Sequence, residues 1–334
     1  MIYNNLILNK SIFNELLNFK SSNKIPNAFI FYGINGIGKE AHAIEFFAAL
    51  NCKESKKNAC GFCNSCKKVK KMQHENLEII FPLPKRNSIG KNDSPYKALK
   101  NNDIDLMHSM FTRKGANPYS KIKFNSANTI LINSIREIKK NITLSINDTQ
   151  YKLYLILDAE KLCYPKSESA NSLLKILEEP PKNIFFILVT NDISYLLDTI
   201  ISRCIPIYFP NLKYEDINKY LTDKYPKDKL KNIEISKISD GSIENALSLF
   251  KNYETDMRAL HTFVNHLIDD NSSNIDEISH FKSKNESIEL LNLLNSFFRN
   301  LILKKTDFKY MNDIQKNINI KYKEVDWSKC ILLT

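Results

Sequence analysis

The chain is poor in the residues that punctuate or rigidify a backbone: its 334 positions hold 7 glycines, 11 prolines and a single tryptophan. Such scarcity excludes collagen-like, low-complexity and largely disordered classes. With 43% hydrophobic residues, enough apolar surface is present to offset chain entropy. No apolar run approaches the ~18 to 20 residues that span a bilayer, so no membrane segment is expected. The opening MIYNNLILNKSIFNELL lacks the unbroken apolar core and small-residue cleavage site of a secretory leader. It reads as an amphipathic helix of a cytoplasmic protein. Length alone predicts roughly two or three domains.

Acidic charge is also in short supply. Lys and Arg number 48 against 37 Asp and Glu, a formal net charge of +11, and all but six of the 48 are lysine. This balance invites an anionic partner such as nucleic acid. The competing explanation is a general drift toward Lys, Asn and Ile, which would spread the charge over every face.

Five short apolar runs rich in β-branched and aromatic residues suit strands buried on both faces: Ala28–Tyr32, Leu77–Phe81, Leu153–Leu157, Ile184–Thr190 and Ile205–Phe209. Helix-length connections between them predict an α/β domain with a parallel sheet over residues 1–210. Residues 84–125, opening PKRNSIGKNDSPYK and closing RKGANPYSKIKF, read as an insertion, partly helical and mobile in its first third. After Pro210 only helical patterning remains: Tyr214–Tyr225, Ile233–Phe250, Ala259–Ile268 and Ile288–Leu303.

The first strand runs into Gly33-Ile-Asn-Gly36-Ile-Gly38-Lys39-Glu40 and then AHAIEFFAAL, a helix by spacing. Strand, glycine-rich loop and helix in this order form a phosphate cradle, with Lys39 placed to reach the outer phosphates. The position after Lys39 should carry a Ser or Thr hydroxyl for Mg²⁺, and here it is Glu40. A carboxylate beside a triphosphate adds repulsion and bulk. ATP binding is therefore weakened or lost, and two readings stay open: residual nucleotide binding, or a loop kept only as a tight strand-to-helix connection.

Cys60, Cys63 and Cys66 stand at two-residue gaps, with Cys52 eight positions before Cys60. Four thiolates suit tetrahedral Zn²⁺, and a site filled entirely by protein ligands is structural. Lys53, Lys56, Lys57, Lys67 and Lys68 would offset the negative charge of a zinc tetrathiolate. An iron–sulfur cluster also uses C-x2-C-x2-C, but the Cys-Pro ending of that motif is absent. Cys163, Cys204 and Cys330 are scattered and read as ordinary buried thiols.

The third strand ends in Asp158-Ala159-Glu160. An Asp at this point holds Mg²⁺ in phosphate-loop ATPases, and the next residue is commonly the Glu that activates water; Ala159 cannot. Glu160, one position later, would face the other way on extended backbone. Loss of a general base costs ~10² to 10⁴ in rate. Next comes Ser169-Ala-Asn-Ser-Leu-Leu-Lys-Ile-Leu-Glu-Glu-Pro-Pro181, whose Ala170, Leu173, Leu174 and Leu177 share one helical face, and then Ser202-Arg203-Cys204.

These motifs in this order resemble the bacterial DNA polymerase III clamp-loader subunits of the AAA+ class, whose gamma/tau and delta-prime members carry a four-cysteine module after the phosphate-loop helix. The resemblance covers about residues 10–250. It implies an AAA+ domain at 1–210 with a zinc module at 52–72, a helical lid at 211–252 and an all-helical collar at 253–334. Motor members carry Thr or Ser after the loop lysine, Glu after the strand-end Asp, and an Arg about where Gly241-Ser-Ile-Glu244 places Glu244. Those parts are missing, while Arg203 is kept.

The resemblance therefore implies a delta-prime-type subunit of the polymerase III holoenzyme without ATPase activity of its own. Arg203 would enter a neighbour's nucleotide site as an arginine finger. Gly33, Gly36, Gly38, Lys39, Asp158 and Asn191, the last at the family's first sensor position, would form a degenerate nucleotide site. Partners implied are gamma/tau-type motor subunits and the delta subunit in a hetero-pentameric ring, with the sliding clamp and primer-template DNA met indirectly or transiently. No tau-like extension is expected. The alternatives are an active gamma-type ATPase and a zinc-dependent nucleic-acid-binding protein.

Overall fold

The structure is a computed structural model and describes residues 1–22, 24–144, 150–178 and 181–269. The chain divides into two compact units, Met1–Asn211 and Leu212–Thr334. In order, the first holds α1 (Lys10–Ser21), β1 (Ala28–Tyr32), α2 (Lys39–Leu50), α3 (Asn64–Lys70), β2 (Leu77–Ile80), α4 (Asn101–Ala116), α5 (Ile132–Leu144), β3 (Lys152–Ile156), α6 (Glu168–Glu178), β4 (Ile184–Thr190), α7 (Asp198–Ile201) and β5 (Ile205–Tyr208). Among the described residues the second holds only helices, α8 (Tyr214–Lys224), α9 (Lys229–Ile238) and α10 (Ile243–Asp269). None of the described helices is long and apolar enough to cross a membrane.

The five strands form one parallel sheet in the order β2-β3-β4-β1-β5. Ala28 pairs with Phe186 and Phe29 with Ile205, while Leu153 bridges Leu77 and Phe185. Alternation along the strands sends side chains to two helical layers. Ile30, Tyr154, Ile156, Phe186 and Leu188 bury with Ile135 and Ile138 of α5 and Leu173 and Leu177 of α6. On the opposite face Phe29 and Phe185 meet Phe46 of α2 edge-on, with ring centroids 6.4 and 6.0 Å away. Each such buried ring contributes about 1.5 to 3 kcal/mol of apolar transfer. This explains why the runs read as continuously apolar.

Several boundaries differ from the sequence reading, each for a local reason. Residues 1–9 are not helical. Asn9 caps α1 by accepting from Ile12 N at 3.1 Å, so the helix starts at Lys10. Ile2, Tyr3 and Leu6 are nevertheless buried. β5 is an edge strand and exposes Ile205 and Tyr208, so it is not covered on both faces. The helix expected over Ile233–Phe250 is two helices, because Asp240 and Gly241 adopt left-handed φ of 53° and 80°. The expected Ala259–Ile268 helix is the continuation of α10, which runs unbroken past residue 252.

The insertion at 84–125 holds a short 3₁₀ turn, Pro95–Ala98, and the whole of α4. Its first third, expected to be mobile, is bonded to the rest: Arg86 N donates to Ala98 O at 2.9 Å, and Asn133 Nδ2 donates to Gly90 O and Asp93 O at 2.9 and 2.8 Å. The Ile288–Leu303 helix, Cys330 and the collar beyond residue 269 lie outside the described residues.

Candidate functional site

Three neighbouring strands deliver the loop residues to one edge of the sheet, where ligands of open parallel sheets are held. β1 leads into Gly33, β4 into Asn191, and β3 into Asp158. Gly33, Gly36 and Gly38 all have positive φ. At Gly33 a Cβ would lie 2.3 Å from Phe209 O, so glycine is required for the loop to turn beside the end of β5. Gly33 N donates to Asn191 O at 3.2 Å.

Lys39 opens α2 and is only 5% exposed. Its Nζ donates to Gly33 O, to Ile34 O at 2.7 Å, and at 3.4 Å to Asn191 Oδ1. Burial pushes its ammonium down to about 8, partly offset by the charges of Glu40, Glu160 and Asp158. The loop thus brings Gly33, Lys39 and Asn191 together, with Asp158 within electrostatic reach.

Glu40 is bonded to Lys114 of α4, a residue from the insertion. Lys114 is 2% exposed and also donates to Pro118 O at 2.9 Å. Gly115 beside it allows α4 to meet the end of α3, for a Cβ there would lie 2.2 Å from Lys70 O. Lys123 stands 3.8 Å from the Asp158 carboxylate. The backbone at Asp158 is left-handed, φ 48°, and passes into a 3₁₀ turn over Ala159–Leu162. The extended geometry expected for Glu160 is therefore corrected: it sits on a turn, and the position after Asp158 is a fully buried Ala159.

The four module cysteines come together, with their Sγ atoms all within 4.8 Å of one another. Cys52 follows α2, Cys63 caps α3 and Cys66 lies within it. Backbone N–H groups of Cys60, Cys63 and Cys66 donate to Cys52, Cys60 and Cys63 Sγ at 3.3, 3.2 and 3.4 Å. Burial pushes the Cys63 thiol up, but the N–H groups of Cys66 and Lys53 outweigh it and hold it at about 6. A tetrahedral Zn²⁺ with bonds of about 2.3 Å needs sulfurs about 3.8 Å apart, and the Cys60–Cys66 separation is 3.9 Å. The donor set fits that metal. Cys163 and Cys204 stand apart from it as free thiols.

Arg203 lies between the end of α7 and the start of β5. Its guanidinium donates to Thr199 O at 2.8 Å, to Ser202 Oγ at 3.4 Å and to Glu178 Oε1 of α6 at 2.7 Å, with about a third of the side chain exposed. Lys114, Lys123 and Glu178 were missed by the sequence reading. Glu178 stands within the Ser169–Pro181 motif, whereas nothing local marks Lys114 among 42 lysines.

Sheet order, loop and strand-end Asp define an α/β domain of the phosphate-loop type with Glu40 after the loop lysine. The chain belongs to the family described as DNA polymerase III, delta subunit, whose profile matches residues 8–213, well over half its length. It is 27% identical over 244 residues to the DNA polymerase III subunit tau/gamma of Haemophilus influenzae, covering 71% of this chain and 29% of that protein. To the subunit delta' of Bacillus subtilis it is 25% identical over 209 residues, 63% of this chain and 50% of that one. The chain thus spans about a third or less of the first curated relatives it matches, the tau/gamma proteins. A solved gamma subunit-related protein of Thermotoga maritima aligns over 80% of this chain and 97% of its own at 16% identity, with a TM-score of 0.32.

Proposed function

We propose that the protein is a delta-prime-type subunit of the polymerase III clamp loader, silent as an ATPase, that presents Arg203 to a neighbouring motor subunit. The observation that carries this reading is the contrast between the two ends of the domain. At the loop, the metal-ligand position is Glu40, already engaged by Lys114, and the base position is Ala159. At α7, a partly exposed guanidinium is held by three oxygens from α6 and α7. An arginine supplied in trans stabilises charge on the transferred phosphoryl group and is worth ~10³ to 10⁵ in rate.

On this reading the unit at 1–210 is an AAA+ domain, 211–252 a lid and 253–334 a collar that joins the ring. Cys52, Cys60, Cys63 and Cys66 would hold Zn²⁺, which stiffens the module and takes no part in chemistry. The partners are gamma/tau-type motors and a delta subunit in a cytoplasmic hetero-pentamer that opens the sliding clamp at primer-template DNA. The rival, an active gamma-type ATPase, draws on the tau/gamma relatives but needs Glu40 to act as a metal ligand while bonded to a lysine.

The test has two arms. The purified chain should show no DNA-stimulated ATP hydrolysis, and robust turnover abolished by Lys39→Ala would establish the rival. Reconstituted with motor subunits, Arg203→Ala should lower ATPase and clamp loading by about 10³-fold at the dependent site while the complex stays assembled. An unchanged rate removes the finger role.

A further inference from the structure

The insertion at 84–125 and the loop position Glu40 are two departures that meet in space: Lys114 bonds Glu40 across 74 residues of sequence. In phosphate-loop enzymes Mg²⁺ is held by the residue after the loop lysine and by the Asp at the strand end. Both positions here carry carboxylates, Glu40 and Asp158, and both are faced by ammonium groups from one stretch of chain, Lys114 and Lys123. Two lysines bring the same +2 charge as the metal ion. An ammonium is a compact point charge with three donors, suited to satisfying a carboxylate oxygen and a carbonyl together.

Lys114 meets that description, since it is buried and bonds both Glu40 and Pro118 O. Its position is built. Gly115 lets α4 lie against Lys70 O, and Tyr119, four residues beyond, reaches the loop: its ring would lie 3.4 Å from a Cβ at Gly38, and its hydroxyl accepts from Ile7 N at 2.9 Å.

We infer that Lys114 at Glu40, together with Lys123 at Asp158, is a built-in cation that replaces the divalent metal at this loop, so that the site neither takes up Mg²⁺ nor gains affinity for a nucleotide from it. This rests on the reading of the loop as silent and gives that silence a cause beyond the lost hydroxyl. It also gives the insertion a role. Restoring a hydroxyl at position 40 alone would leave the ammonium in place, and the loop would still reject the metal.

The experiment uses the zinc-loaded full chain and Mn²⁺ as probe, with free Mn²⁺ read by its paramagnetic resonance signal. Wild type should take up no Mn²⁺ at the loop. Lys114→Met should gain a site at least about tenfold tighter than any in wild type, lost again in Glu40→Gln/Lys114→Met. Because Lys114→Met leaves a half-buried carboxylate unpaired, a cost to folding, Glu40→Thr/Lys114→Met provides a second arm without that charge. In it, binding of a fluorescent ATP analogue should become about tenfold tighter in Mg²⁺ than in EDTA, whereas wild type should be indifferent to Mg²⁺. Glu40-dependent Mn²⁺ uptake by wild type, or a double variant as indifferent to Mg²⁺ as wild type, overturns the inference. Neither readout involves turnover or a partner, so metal binding gained on loss of Lys114 together with an Arg203→Ala ring of unchanged rate would keep this inference and sink the finger.

Discussion

At the scale of single residues, His42 shows how the loop is tied to the start of the chain. It is 1% exposed, its Nε2 accepts from Asn9 N at 2.9 Å, and its Nδ1 lies 2.8 Å from Gly38 O. A backbone N–H can only donate, so Nε2 is unprotonated and Nδ1 carries the hydrogen bonded to Gly38 O. The imidazole must be neutral to make both bonds. Burial accordingly pushes it from 6.5 down to about 4, against a small opposing effect of the Gly38 bond. Between those values the unfolded chain binds the proton and the folded chain does not, so stability rises with pH there and is lost as pH falls from 6.5 toward 4. The span corresponds to on the order of 3 kcal/mol. Unfolding free energies from urea titrations of wild type and His42→Gln, which keeps a donor and an acceptor but does not titrate, should converge by that amount between pH 7 and pH 4. Parallel curves would show that His42 is not the group responsible.

At the scale of elements, the cysteine module and the insertion form one mechanical chain. Cys63 caps α3, α3 ends at Lys70, and Lys70 O is the surface on which Gly115 lets α4 rest. Removing one of these cysteines is therefore expected to loosen more than the four-cysteine cluster. Elemental analysis of the purified chain should find a single zinc, and Cys63→Ser should lose it and lower the melting temperature by several degrees. Iron with visible absorbance would replace the zinc assignment. The elements themselves were largely legible: the strands announced themselves as apolar runs, and the loop by its glycines and following helix. Strand ends shifted by a residue because a ladder ends where its partner strand does, as at Ile80 beside Ile156. The break between α9 and α10 carried a local signal, Asp240-Gly241, which the longer periodic pattern hid. The Lys114–Glu40 pair had no local signal, since a contact across 74 residues leaves no trace in spacing. Arg203 was found from its motif, but its anchor on Glu178 needed α6 and α7 side by side.

At the scale of the whole molecule, the loop, the four cysteines, Arg203 and every described strand fall within Met1–Asn211, and the family match ends at residue 213. The first unit carries its own two-sided core around the sheet and closes its own hydrogen bonds, from Phe209 N to Tyr32 O at the end of β5 to Leu153 N to Asn76 O beside β2. A unit with its own core is expected to fold without residues beyond it. A fragment 1–211 should be monomeric, retain zinc, and reproduce the acid-side loss of stability assigned to His42. Joining a ring is a separate property, which the proposed function gives to the collar. Mixed with motor subunits on a size-exclusion column, the fragment should elute alone while the full chain co-elutes. Retention of the fragment would move the ring contact into the unit that bears Arg203. A fragment that fails to fold would show that the two units depend on each other, and the finger and its assembly surface would then be parts of one cooperative body.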